Sequence, residues 1–166
     1  MFELKTLSPD AVPRALAKAE RYRLLNEPDE AQSICLDVLA ASPENQDAVR
    51  TMILALTDDF QADPTCVPEA FATLAHLHDD YDREYYAGII HERRAKALLA
   101  HGTPRGGARA YEWLREAMDC FDRADAIRPA NNDDARLRWN ACARLIERQP
   151  HIAPAVDEPR EPLLSE

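Results

Sequence analysis

The sequence predicts an all-α protein, and three observations carry that expectation. Glycine is scarce, with four in 166 residues, while Ala, Leu, Glu and Arg are abundant; strong helix formers with few breakers favour helices. Apolar residues recur at i, i+3, i+4 and i+7, the spacing that builds one buried stripe on a helix. No stretch alternates apolar and polar positions with β-branched residues, as a half-buried strand does.

Seven helices are expected. The first covers about 10–25. The second, 28–41, places Ala31, Ile34, Cys35, Val38 and Leu39 on one stripe. The third is expected to start at Ser42-Pro43, read as an N-cap followed by Pro at the first helical position; Val49, Met52, Ile53, Leu56 and Phe60 share its face. Residues 57–66 read as a helix end and loop. A fourth helix begins near Val67-Pro68 and buries Phe71, Leu74 and Ala75. The fifth, about 82–100, carries Tyr85, Tyr86, Ile89 and Ile90. The segment 101–107 holds three of the four Gly and reads as a turn. The sixth, 108–127, spaces Tyr111, Leu114, Ala117, Met118, Phe121 and Ala124 helically. The seventh, 132–148, carries Ala135, Trp139, Cys142, Leu145 and Ile146, and Pro150 stops it. Residues 150–166 contain four Pro and four acids against one Arg. Too little apolar surface is available there to offset ordering entropy, so a disordered tail is expected beside a folded domain over 1–149.

A formal net charge of −10 argues against nucleic acid and anionic membrane as partners. The start, MFELKTLSPD, has no apolar signal core, and no run approaches the roughly 18 apolar residues of a membrane span. A soluble, cytoplasmic protein is expected. Cys35, Cys66, Cys120 and Cys142 lie far apart with no CxxC pair, which favours buried thiols over a disulfide or a metal site.

Motifs for chemistry are missing. His91-Glu92-Arg93-Arg94-Ala95 opens like HExxH and lacks the second His. His76 and His78, two apart, cannot share a helix face. Asp79-Asp80-Tyr81-Asp82 lacks the Gly and distal Glu of a calcium loop and reads as a helix cap. Gly102-Thr-Pro-Arg105-Gly-Gly107 lacks the Gly-Lys-Ser/Thr ending of a phosphate loop. No enzyme activity, cofactor or metal is expected.

The chain also repeats itself. Pro43-Glu-Asn-Gln-Asp-Ala-Val-Arg50 matches Pro129-Ala-Asn-Asn-Asp-Asp-Ala-Arg136 as P-x-N-[QN]-D-x-x-R. Upstream, Ala31, Cys35, Val38 and Pro43 correspond to Ala117, Phe121, Ala124 and Pro129. In this the sequence resembles the tetratricopeptide repeat, whose second helix carries Ala, an aromatic, Ala and a closing Pro; Ala19 and Tyr22 fit its first helix. The resemblance covers about 10–148 and is specific in the first pair and at 117–129. It implies a right-handed α-α superhelix of about three antiparallel hairpins plus a C-terminal capping helix.

In that family the first helices of successive pairs line a concave groove. The resemblance therefore implies a scaffold or adaptor that binds a protein or peptide segment through Leu16, Glu20, Arg23, Asp47, Arg50, Leu54, Tyr85, Ile89, Arg93, Arg136, Asn140 and Arg144. Residues 44–82 hold nine acids and one base, and 83–115 hold seven bases and three acids. A bipolar surface would steer a partner with an acidic portion. Two alternatives stay open: homo-oligomeric self-assembly, and a small-ligand sensor or helical enzyme, which a single deep pocket would favour.

Overall fold

The computed structural model describes residues 2–155. Seven α-helices account for most of them: α1 (Val12–Leu24), α2 (Pro28–Ala41), α3 (Gln46–Asp58), α4 (Cys66–Thr73), α5 (Asp80–Ala100), α6 (Gly106–Ala126) and α7 (Asp134–Arg148). No strand occurs among the described residues. The fold is all-α.

Local chemistry sets the ends. Pro28 opens α2 with Asp29 and Glu30 in its first turn, where the helix dipole favours acids. The start expected at Ser42-Pro43 is corrected. Ser42 closes α2 instead, its N–H donating to the Val38 carbonyl at 2.7 Å. Asn45 caps α3, its side-chain oxygen accepting from the Ala48 N–H at 2.9 Å. A carboxamide at that position satisfies an orphan donor that a Pro ring cannot reach. The Asp79–Asp82 cluster does cap α5: the Asp79 carboxylate accepts from the Asp82 N–H at 3.1 Å.

Short links join consecutive helices into hairpins, with α1 packing on α2, α3 on α4 and α5 on α6, while α7 closes against α6. Asn26 and Asn131 sit at φ 60° and 63° in two of the turns, a conformation Asn tolerates better than most side chains. Gln46, at the start of α3, holds the segment before α5. Its amide donates to the His76 carbonyl at 3.1 Å and accepts from the His78 N–H at 2.9 Å.

The interior divides into two main clusters. One joins Ala19, Ala31 and Cys35 to Val49, Ile53, Leu56, Phe60 and Ile90. The other joins Tyr81 and Ile89 to Leu114, Phe121, Ala135, Cys142 and Ile152. A small third group of Val12, Val38 and Ala48, with Leu7 against it, closes the end of the first hairpin. The six positions matched between α2 and α6 (Ala31, Cys35, Val38, Ala117, Phe121 and Ala124) are all wholly buried.

The body runs past the boundary expected at 149. Ile152 is 2% exposed and lies in the second cluster. Gly107 makes room for this segment, since a Cβ there would meet the carbonyl group of His151. A single large apolar residue at the right place outweighs the Pro-rich composition around it. The remainder of the tail expected to be disordered, 156–166, lies outside the described residues.

Candidate functional site

The helices that open successive hairpins, α1, α3 and α5, pack in that order, and charged side chains tie them together. Asp58, in the last turn of α3, is the centre. One carboxylate oxygen takes Nε of Arg23 from α1 at 2.7 Å, and the other takes Nη1 of Arg93 from α5. Arg93 donates as well to Thr57 Oγ1 at 3.1 Å. A carboxylate has enough lone pairs to serve two guanidinium groups at once. Nearer the start of α5, Arg50 Nε meets Asp82 Oδ2 at 2.7 Å and Nη1 meets Asp47 Oδ1 at 2.8 Å. Burial works against the Arg50 charge, but the hydrogen bond and charge of Asp82 outweigh it and hold the guanidinium firmly protonated. Tyr86 packs beside these groups. Burial, then the charge of Asp82, pushes its hydroxyl up to about 12, so it stays neutral.

On this face the structure brings together Arg23, Arg50 and Arg93, each engaged with an acid of a neighbouring helix. Glu20 and Asp47 are exposed and Leu16 is half-buried. Leu54 and Tyr85 lean into the second cluster, where Tyr85 stacks on Tyr81 with ring centroids 5.7 Å apart. Ile89 is 1% exposed and belongs wholly to that core, so it has no surface to offer a partner.

The α7 positions do not join them. Arg136 pairs with Asp125 at 2.7 Å and Asp133 at 3.7 Å, while Asn140 and Arg144 are exposed. The α7 residue that reaches α5 is Arg138, whose Nη1 lies 3.3 Å from Glu92 Oε2. Two residues correspond to about 200° of helix rotation, so the stripe 136, 140, 144 is turned away from α5. Glu92 is itself wholly buried and also takes the Lys96 ammonium. A carboxylate this deep needs both cations.

Sequence reasoning did not single out Asp58 or Arg138, and it read Asp82 only as part of a capping cluster and Glu92 only as part of an HExxH-like run. Their partners on other helices are 32 to 46 residues away, and no local spacing announces such a pairing. These and shorter-range pairs consume much of the bipolar charge. Of the seven bases in 83–115, Arg83, Arg93, Lys96 and Arg109 are matched to acids.

Between α4, α5 and α6 lies a different arrangement. The Arg94 guanidinium sits 3.8 Å from the centroid of the Trp113 ring, with Arg109 at 5.2 Å. His91 meets Phe71 edge-on at 4.9 Å. Its Nδ1 is 2.9 Å from Glu116 Oε2 but too poorly aligned to count as a hydrogen bond. Burial therefore prevails over the Glu116 charge and lowers the His91 pKa.

All four cysteines are free and buried. Cys66 comes within 4.8 Å of Asp59 and Asp63. Its thiol faces Asp59, and Asp63 is occupied by the N–H and hydroxyl of Thr65, so local turn bonding accounts for the group. Among the described residues, no helix is long and apolar enough to cross a membrane. No family model, curated protein or solved structure matches the chain.

Proposed function

We propose that the chain is a tetratricopeptide-like interaction scaffold. In this reading its hairpins stack as a right-handed superhelix and the face of α1, α3 and α5 receives an extended segment of a partner protein. The observation that carries the reading is the row of ion pairs Arg23–Asp58–Arg93 and Arg50–Asp82. These pairs fix the opening helices of three successive hairpins at one surface, so a partner meets a preorganised face and loses less ordering entropy on binding. They also change what the partner should look like. With the central arginines already satisfied, the exposed Glu20 is an acid without an ion-pair partner at this face, and the exposed Asp47 beside Arg50 adds to the negative charge; they favour a segment with basic as well as apolar residues.

The test is photo-crosslinking from single sites in the full chain. Probes at Glu20 and Asp47 should capture a common partner, whereas a probe at Glu30 on α2 should not. Capture from Glu30 alone would reject this face as the binding surface.

A further inference from the structure

The pocket between α4, α5 and α6 is a different surface from the groove just proposed, and it does not depend on that reading. It is a cavity of about 300 Å³ floored by Phe60, Val67, Ala97 and Leu98, with Trp113 and Arg94 at its edge. That volume is at the small end of ligand pockets and suits one large apolar group. Arg94 is the unusual member. It is half-buried with its guanidinium 3.8 Å from the centroid of the Trp113 ring, and among the described residues no acid lies within ion-pair distance of it. Burial first, then the nearby Arg109, lowers its pKa, and the charge of Glu116 only partly offsets them. A half-buried cation beside an apolar hole is completed by a group that supplies a hydrophobe and a carboxylate together.

The chain itself exposes such a group. Phe2 is 99% exposed and Leu4 84% exposed, with Glu3 between them. Residues 2–7 have no helix or strand, and Leu7 anchors the arm on the small cluster of Val12, Val38 and Ala48 at the end of the first hairpin. The arm is not seated in the pocket of its own chain, where Phe2 and Leu4 stay exposed.

We propose that the Phe2-Glu3-Leu4 arm of one copy docks in the Phe60–Trp113 pocket of a second copy. Phe2 fills the cavity and Glu3 pairs with Arg94 at the rim. Reciprocal exchange of two arms closes the contact as a symmetric dimer. The two arms bury little surface compared with a standard interface, so the dimer is weak and concentration-dependent.

Light scattering of the full chain, from dilute solution to about 1 mM, tests this. Mass should rise toward twice that of the monomer. Phe2→Ser should hold the protein monomeric, and it cannot do so by unfolding, because nothing packs on Phe2. Arg94→Gln should raise the concentration at half-dimerisation about tenfold, matching the loss of one charge-assisted contact. A peptide of residues 1–8 should dissociate the dimer and perturb Trp113 fluorescence. A monomer at every concentration would overturn the proposal, as would a dimer indifferent to Phe2→Ser. The crosslinking from Glu20 and Asp47 is unaffected by either result.

Discussion

Gly88 on α5 and Phe121 on α6 occupy one space: the ring lies where any side chain at 88 would begin. A Cβ built at Gly88 would come within 2.7 Å of ring carbon Cδ1 and 2.9 Å of Cζ, closer than carbon atoms pack. The absence of a side chain lets the helices approach, and the aromatic ring fills the space beside it.

Phe121→Ala should therefore cost about 3–5 kcal/mol, the range for a wholly buried Phe. Gly88→Ala should also destabilise, although Ala is the better helix former by about 1 kcal/mol, because the ring has no free volume to move into. Denaturant titration of both variants checks the pair. In Phe121→Ala the added Gly88→Ala methyl should become harmless, so the two effects should not be additive.

Glu92→Ala should cost about 1.5–3 kcal/mol through loss of charged hydrogen bonds. It also removes the acid from the half-buried Arg138, whereas the exposed Lys96 can turn to solvent. Glu92→Gln should retain part of that stability, since its carbonyl oxygen still accepts from Arg138. Thermal melts of the two variants would rank them.

Acid should weaken the fold through His91. Its folded-state pKa lies below the ordinary 6.5 because burial opposes the charge, so the unfolded chain binds the proton more readily. Stability from this group is complete above 6.5 and is lost as pH falls below it. His91→Gln should flatten that part of the pH–stability curve, read as melting temperature between pH 7.5 and 5.5.

The thiols should be inert in the native state. Burial pushes Cys35 and Cys66 up to about 11 and Cys142 up to about 12, and Cys120 is raised for the same reason. The thiolate is the reactive form. Titration with a thiol reagent at pH 8 should be slow for the folded protein and should recover all four after denaturation.

Ile152→Ala should destabilise by about 2–5 kcal/mol, toward the lower figure because a short terminal segment can relax. Ending the chain after Ala155 should leave the melting temperature nearly unchanged, whereas ending it after Gln149 should lower it. This contrast locates the boundary that composition misplaces.

Most of the helices were legible because the information is local. The stripes of α2 and α6 announce themselves at helical spacing, and Ala31, Cys35, Ala117 and Phe121 are buried where that spacing puts them. Ends were harder to read. Ser42-Pro43 has the composition of a helix start, yet the cap falls to Asn45, because capping depends on where a side-chain oxygen points. The matched Asn131 does something else again, taking φ 63° in the turn before α7. Least legible was the candidate site. Helical periodicity places Arg93 and Ile89 on one side of α5, but only the packed fold shows that Asp58 claims the first and the core claims the second.

Ile89 and Ile90 are adjacent in sequence and enter different cores, Ile90 with the first two hairpins and Ile89 with α6 and α7. Because α5 turns one flank to each, it acts as a torsion bar between the two halves of the molecule. Rotating it about its axis would displace both residues together, so a substitution that turns α5 should be felt in both cores.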